Sequence, residues 1–261
     1  MHLLLIRHGQ STNNVVEAEK GDGADFNAAR LPDPALSPLG ERQAEALGEY
    51  LAPKLENEKV TLFVSGMKRA LQTMLPLATK LCIPPLVRPD TFERGGLYTK
   101  AEDGSFVQEK ARSAEEIQEE FPTYNVSELV GVEWGRVERS DKECFERAGR
   151  VVAWLRDMAK RSSAGDVVVF VSHMDFLDHM AKHFLGLRYN SVWMKLDNVS
   201  ISHLVVRGDC EDKGWGNGEV EEEDEQAVIV IKWNSTPHLK GIRSGLMWKT
   251  MRLPETSWLI D

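Results

Sequence analysis

Short apolar runs alternate along this chain with amphipathic segments of helical length, and this alternation restricts the fold more than any other feature. The clearest run, residues 167–171, reads VVVFV. Its length and β-branched composition predict a strand buried on both faces. Strands of this kind separated by helices form a sheet covered by helices on both sides. We therefore expect an α/β fold, a three-layer sandwich with a central, mostly parallel mixed sheet.

The same criteria assign the other elements. Further strands are expected at residues 2–6, 60–65, 86–93, 200–206 and 227–233, and helices at 38–55, 70–81, 141–160 and 173–186. Ser37 followed by Pro38 predicts the start of the first of these helices, as an N-cap with proline at the first helical position. Residues 11–36, rich in glycine and proline, are expected to form a long polar loop.

Chain length and composition favour one intracellular globular domain. The 261 residues, 42% of them hydrophobic, are enough for a single domain spanning 1–261, with an insertion at about 98–138 that carries one short helix at 113–121, and a C-terminal tail at about 240–261. There is no apolar run of transmembrane length and no signal peptide pattern, so we expect a cytoplasmic protein without a membrane partner. Three scattered cysteines suit a reducing compartment, and a net charge of −9 disfavours nucleic acid.

Polar side chains with catalytic potential follow four of the predicted strands. They are Arg7-His8-Gly9, Ser65-Gly66 with Arg69, Glu93, and Ser172-His173. Open α/β sheets bind ligands in a crevice beyond the carboxyl ends of their strands. The sequence therefore predicts that two histidines, two arginines and one glutamate meet at one edge of the sheet.

These residue types suit phosphoryl transfer without a metal or cofactor. A neutral imidazole, here His8, can attack phosphorus and hold the phosphoryl group covalently. The planar guanidinium groups of Arg7 and Arg69 match the oxygens of a phosphate. No cluster of metal-ligand residues accompanies them in the sequence, so we expect no metal site. His173, if protonated, is expected to donate to the equatorial oxygens.

The remaining candidates assist this chemistry. Glu93 is expected to protonate the departing alcohol and then to activate water, with Asp90 or Glu102 as alternative acids. Gly9 allows a close backbone approach, and Ser11 and Asn14 can donate hydrogen bonds to phosphate.

Several segments resemble the histidine phosphatase superfamily, the phosphoglycerate mutase-like clan with an Arg-His-Gly signature. They are RHGQSTNN at 7–14, LSPLG at 36–40, SGMKRALQT at 65–73, FERGG at 92–96, VSH at 171–173, NVSISHL at 198–204 and NSTPHL at 234–239. The resemblance covers nearly the whole chain except about 98–138 and the tail. It implies that His8 is phosphorylated, that Arg7, Arg69 and His173 line the phosphate pocket, that Asn14 contacts phosphate, and that Glu93 is the proton donor.

Three positions depart from that resemblance. Met174 stands where the family usually has glycine after the second histidine, although its backbone N–H can still serve the phosphate. Gln10 replaces the glutamate common in mutases, and Gly95-Gly96 follows Glu93-Arg94 without the expected aromatic residue. These departures leave the phosphate pocket intact and weigh against a mutase.

We therefore expect a phosphomonoester hydrolase that acts through a phosphohistidine. The alternatives are a phosphoglycerate mutase-type phosphotransferase and, third, a non-catalytic protein that binds phosphorylated ligands. The expected partner is a small phosphorylated metabolite, with a phosphoprotein as the alternative, and edge strands or the tail offer surfaces for a homodimer.

Overall fold

The computed structural model describes residues 1–21, 23–101, 104–208 and 227–240. Eight strands lie in this part of the chain: β1 His2–Arg7, β2 Val60–Ser65, β3 Leu86–Arg88, β4 Tyr98–Lys100, β5 Phe106–Gln108, β6 Val167–Ser172, β7 Ile201–Val206 and β8 Val228–Ser235. Six of them form one sheet in the order β3-β2-β6-β1-β7-β8, and β4 pairs with β5 in a separate hairpin. The four strands β3, β2, β6 and β1 are parallel. β7 is antiparallel to both β1 and β8.

Helices cover both faces of this sheet. They are α1 Thr12–Lys20, α2 Ala24–Ala29, α3 Pro38–Leu55, α4 Lys68–Leu81, α5 Ala114–Glu120, α6 Asp141–Lys160 and α7 Met174–Phe184, with short 3-10 turns at Ser127–Leu129 and Pro237–Leu239. One buried cluster joins the sheet to α3 and α4, and a second joins the opposite face to α6 and α7. The α/β sandwich with a mostly parallel mixed sheet is thus confirmed.

Local capping explains where the helices begin. The Ser37 side chain accepts a hydrogen bond from the backbone N–H of Gly40, and Pro38 occupies the first helical position, as predicted. α5 begins after Ser113, whose hydroxyl forms a capping box with Glu116. Both arrangements satisfy N–H groups that a helix start leaves without an intrahelical partner.

Residues 11–36 are not the loop predicted from sequence. They contain α1 and α2, with α1 capped by Ser11 and Asn14. No residue of α1 is fully buried, so its sequence has none of the apolar periodicity by which a helix is identified. The strand expected over 86–93 is also shorter and ends at Arg88, which leaves Glu93 on a loop.

Parts of the predicted C-terminal region lie outside the described residues. These are the tail from residue 241 onward, one of the three cysteines, Cys210, and the acidic sequence EVEEEDE at residues 219–225. In the part of the chain that is described, no helix combines the length and apolar character needed to cross a membrane.

The insertion packs onto the sheet. Ile117, Phe121, Tyr124 and Trp134 belong to the buried cluster on the α3–α4 face. The ring of Trp134 lies so close to Gly66 that a Cβ added there would be 2.9 Å from it. The insertion thereby closes over the carboxyl end of β2.

A close backbone contact joins the segment after β1 to the start of α3. A Cβ added at Gly9 would be 2.8 Å from the Gly40 carbonyl oxygen, and one added at Gly40 would overlap the Gln10 carbonyl. Neither position has room for a side chain. This contact fixes the segment that leaves the central strand.

We expect Gly40→Ala to destabilise the protein. The added methyl group must displace backbone, which costs about 1–3 kcal/mol and outweighs the ~1 kcal/mol that alanine gains in a helix. Urea denaturation measures the loss in unfolding free energy. Gly165→Ala is the control, because a Cβ there meets nothing within 4 Å; equal stability of the two variants would contradict the prediction.

Candidate active site

His8 and His173 lie side by side because β1 and β6 are parallel neighbours. Arg7 at the end of β1 is opposite Ser172 at the end of β6, and His8 donates its backbone N–H to the Ser172 carbonyl at 2.9 Å. The two imidazole centroids are 5.2 Å apart. Both side chains are buried. The structure thus brings the two predicted histidines together at one edge of the sheet.

The hydrogen bonds of His8 determine its tautomer. Its Nδ1 lies 2.6 Å from the Gly9 carbonyl oxygen, which can only accept. Its Nε2 lies 3.2 Å from Nε of Arg69, which can only donate. The proton must therefore be on Nδ1, and Nε2 carries the lone pair. An imidazole in this form is a nucleophile at Nε2.

The surroundings of His8 keep it neutral. Burial lowers the pKa of His8 well below its usual range, and the positive charges of Arg69 and Arg7 lower it further. The hydrogen bond to Gly9 acts in the opposite direction and is outweighed. The lone pair on Nε2 is thus available throughout the neutral pH range.

We expect nitrogen-15 NMR to show His8 with its proton on Nδ1 and with no titration between pH 8 and 5.5. A histidine in a peptide changes charge in this interval, with a pKa near 6.5. Arg69→Gln is the informative variant, because removing this positive charge should raise the pKa of His8. Protonation of wild-type His8 within the interval, or a proton on Nε2, would contradict the assignment.

His173 has one nitrogen engaged and one without a partner. Its Nε2 is 2.8 Å from the Ser65 hydroxyl, which in turn accepts the backbone N–H of Met67. Its Nδ1 is buried and finds no hydrogen bond among the described residues. Burial also lowers the pKa of His173, assisted by Arg69. A buried nitrogen with no partner suggests a position that a ligand completes.

Arg69 is held by an aspartate that sequence reasoning missed. The side chain of Met67, the N-cap residue of α4, makes no capping hydrogen bond. Asp33 takes this role from a neighbouring loop by accepting the backbone N–H of Lys68 at 2.9 Å. Its carboxylate is 3.9 Å from Nη1 of Arg69. No local motif marks Asp33, because its role arises only from the tertiary contact.

Arg7 and the backbone of His8 are fixed by the turn before β7. Arg7 donates to the Leu196 carbonyl at 2.7 Å, and Asn198 donates to the His8 carbonyl at 3.0 Å. The N–H of Val199 donates to the Arg7 carbonyl at 3.0 Å. Val199 is fully buried and has a φ of 52°. Such an angle is a strained one for a β-branched residue.

Glu93 is placed at the start of α7. Its Oε1 accepts the backbone N–H groups of Arg94 at 2.8 Å and of Phe176 at 3.2 Å. Burial, with the nearby charge of Asp175, raises the pKa of Glu93 to about 7. Arg69 and the hydrogen bond from Arg94 only partly oppose this rise. The carboxyl group therefore changes protonation state near neutral pH, which suits an acid that later acts as a base.

A buried ion pair holds the loop that carries Glu93. Arg147 of α6 donates to both carboxylate oxygens of Glu138, each at 2.8 Å. Its remaining terminal nitrogen donates to the carbonyls of Asp90 at 3.1 Å and Phe92 at 2.8 Å. Both charged side chains are almost fully buried. One guanidinium thus grips the backbone on the N-terminal side of Glu93.

Three of the residues predicted to bind phosphate also have structural tasks. The N–H of Gly9 donates to the Thr73 hydroxyl at 2.9 Å. Ser11 donates its own N–H and its hydroxyl to the Asn14 side-chain oxygen, each at 3.1 Å. Within the described residues, the Asn14 amide N–H₂ group makes no hydrogen bond to an oxygen or nitrogen. Of these three, Asn14 therefore has the donors that a ligand can use.

Three further residues were predicted near the site: Met174 and the two alternative acids, Asp90 and Glu102. Met174 is the first residue of α7, and its side chain packs against the buried cluster on the α6–α7 face. Asp90 is bound by Arg88 through two hydrogen bonds, at 3.1 and 2.8 Å. Glu102 lies outside the described residues. Among those described, no three histidine, cysteine or acidic side chains are grouped as a metal site would require.

Comparisons with known proteins give a family and a fold. The model of the histidine phosphatase superfamily, branch 1, matches residues 3–216. The search of curated proteins gave no significant match.

Solved structures with the same fold are distant in sequence. An ecdysone phosphate phosphatase from Bombix mori, in complex with tungstate, is 15% identical, with 84% of this chain and 97% of that one covered and a TM-score of 0.57. A mycobacterial glucosyl-3-phosphoglycerate phosphatase is 19% identical, covering 90% and 99%, with a TM-score of 0.54. A mutant phosphoserine phosphatase from Entamoeba histolytica, in complex with phosphoserine, is 18% identical, covering 91% and 98%, with a TM-score of 0.54. At these identities the likeness establishes the fold.

Proposed function

Since the chain belongs to the histidine phosphatase superfamily, branch 1, we propose that it hydrolyses phosphomonoesters through a phosphohistidine on His8. The observation that carries the proposal is the state of His8: a buried neutral imidazole whose lone pair on Nε2 is directed at the guanidinium of Arg69. A phosphate bound by that guanidinium meets the nucleophile. The solved relatives support the reaction class, since all three are named as phosphatases.

In the first step, Nε2 of His8 attacks phosphorus and the bond from phosphorus to the ester oxygen breaks. The proton stays on Nδ1, which donates it in a hydrogen bond to the Gly9 carbonyl oxygen, and this bond stabilises the positive charge that develops on the imidazole. Glu93, protonated below a pH of about 7, gives its proton to the departing alkoxide. The products of this step are a free alcohol, a phosphohistidine and a Glu93 carboxylate.

In the second step, water attacks the phosphohistidine. The Glu93 carboxylate accepts a proton from the water as the new bond from oxygen to phosphorus forms, and the bond from phosphorus to Nε2 breaks. Inorganic phosphate leaves, and His8 returns to its neutral form with Glu93 protonated. The Glu93 carboxyl group thus serves in both steps of the reaction, because its pKa of about 7 makes both its protonated and its ionised form accessible near neutral pH.

Positive charge and hydrogen-bond donors hold the phosphate in both steps. Arg7 and Arg69 supply two guanidinium groups, which favour the negatively charged phosphoryl oxygens. Asn14 supplies its amide N–H₂ group. His173 supplies Nδ1, provided that Nε2 accepts the Ser65 hydroxyl. These groups perform the electrostatic work that a metal does in other phosphatases, so we propose that the reaction needs no cation.

We expect His8→Asn to lower turnover of p-nitrophenyl phosphate by about 10³-fold or more, because the covalent route is lost. EDTA should leave the wild-type rate unchanged. His183→Gln is the matched control, since His183 packs on Phe145 of α6. Similar rates for His8→Asn and the wild type, or inhibition by EDTA, would refute the mechanism; a non-catalytic phosphate-binding protein would show no turnover at all.

We expect kcat/KM to fall as pH rises above about 7, because the first step needs protonated Glu93 and the pKa of Glu93 is about 7. Glu93→Gln should remove this limb of the pH profile. The substitution should also lower kcat/KM by about 10²–10⁴-fold for alkyl phosphates and much less for p-nitrophenyl phosphate, because nitrophenolate departs without a proton and kcat/KM covers only the steps up to the phosphohistidine. An unchanged limb in the variant would assign the acid elsewhere.

Hydrolysis is proposed ahead of mutase action because the sequence around Glu93 departs from that of the mutases. Incubation with 3-phosphoglycerate separates the two: free phosphate supports hydrolysis, and dominant formation of 2-phosphoglycerate overturns it. We further propose a small phosphorylated metabolite as the partner and the cytoplasm as the location. A phosphoprotein substrate and a homodimer stay as predictions.

A further inference from the structure

A cavity of about 340 Å³ lies at the end of the sheet opposite His8 and His173. It lies between the last turns of α3 and the amino-terminal halves of β1 and β6, and one side of it is open to solvent. His8 and His173 follow the carboxyl ends of those same strands. The volume falls within the range of small-molecule sites, and none of the candidate catalytic residues lines it. Its occupant is therefore independent of the reaction proposed above.

The floor of this cavity carries a row of nitrogen-bearing side chains. His203 of β7 is opposite Leu4 on one side and opposite Lys232 of β8 on the other. Nδ1 of His2 is 2.9 Å from Nε2 of His203. Burial lowers the pKa of His203, assisted by the neighbouring His2 and Lys232. The contact between the two imidazoles needs a lone pair on one of the rings, so they do not both carry a charge, and Lys232 supplies the fixed positive charge of the row.

The charged residues that line the cavity are two lysines and one glutamate. Lys54 lies over the Tyr50 ring at 4.1 Å, and Glu58 is the one carboxylate among the described residues that line the cavity. No salt bridge to Lys54 or Lys232 is found in the described part of the chain. All three side chains are exposed, so the two lysines and the glutamate leave one net positive charge at the open side of the cavity, in a protein whose net charge is −9.

The rest of the lining is apolar. Leu4, Leu51, Leu55, Val167 and Ile201 are buried and border the cavity. Apolar walls with a few convergent polar groups at one place are typical of sites for small organic ligands. At roughly 30 Å³ for each water-sized group, the space suits a ligand of about ten non-hydrogen atoms.

We propose that this cavity is a binding site for a small organic monoanion with an apolar body, such as a medium-chain carboxylate. Its charged group binds at His203 and Lys232, and its apolar body lies on Leu4, Leu51 and Leu55. A monoanion gains an attraction to Lys232 and Lys54 that a neutral ligand lacks, and a cation would be repelled. The site is defined by this chain's own side chains.

Calorimetric titration with three compounds of equal chain length tests the charge preference. Octanoate carries the anion, 1-octanol has no charge, and octylamine is cationic. The titrations are run in saturating inorganic phosphate, which occupies the crevice at His8. We expect octanoate to bind at least tenfold more tightly than the other two. Equal binding of all three, or no binding of octanoate, would overturn the proposal.

Two variants locate the binding. Lys232→Gln should weaken octanoate about tenfold, as expected for one charge-assisted contact, and Lys142→Gln, an exposed lysine of α6, should leave it unchanged. Gly165→Phe should block the cavity, since Gly165 borders it and a Cβ there meets nothing within 4 Å. Circular dichroism checks that each variant is folded. Unchanged affinity in Lys232→Gln, or in a folded Gly165→Phe, would place the octanoate elsewhere.

Discussion

The parallel pairing of β1 with β6 is the constraint on which the candidate site depends. Because Arg7 is opposite Ser172 in that register, the residues that follow both strands meet, and they are His8 and His173. Alternate side chains of a strand point to opposite faces, so a slip of one residue would send the apolar residues of β1 into the wrong layer. Leu4 packs in the buried cluster on one face of the sheet and Leu5 in the cluster on the other. This packing therefore also fixes the distance between the two imidazoles.

Glu93 is positioned by different means, since no strand ends beside it. The loop that carries it is held through its backbone by the buried Arg147–Glu138 pair, and its carboxyl group lies at the start of α7. A helix N-terminus favours the ionised form of a carboxyl group, whereas burial and Asp175 favour the neutral one, and the outcome is a pKa of about 7. The pKa of the acid in the proposed mechanism thus results from burial and a neighbouring charge that outweigh the groups opposing them, and the neutral state of the nucleophile results from burial together with two arginines.

The parts of the fold that could be predicted are those that leave a recognisable pattern within a short stretch of sequence. The strands β1, β2 and β6 and the helix α6 were predicted within about one residue, because runs buried on two faces and long amphipathic stripes are visible locally. The helices α1 and α2 were missed, since they contribute little buried surface. Asp33 and the Arg147–Glu138 pair were not predicted as parts of the site either. Asp33 contacts residues that are distant from it in sequence, and Arg147 and Glu138 form a buried ion pair. Neither arrangement leaves a local pattern in the sequence.

Val199 shows how the interior and the phosphate crevice are joined. Glycine would adopt the left-handed backbone conformation of residue 199 without the cost of about 1–2 kcal/mol that other residues meet there. Backbone conformation alone therefore does not favour valine at this position. What valine adds is a side chain wholly inside the α3–α4 cluster, and its N–H holds the end of β1. The turn therefore connects the buried α3–α4 cluster to the peptide bond that precedes His8. Loosening of that cluster would reach the reacting nitrogen of His8 through the main chain.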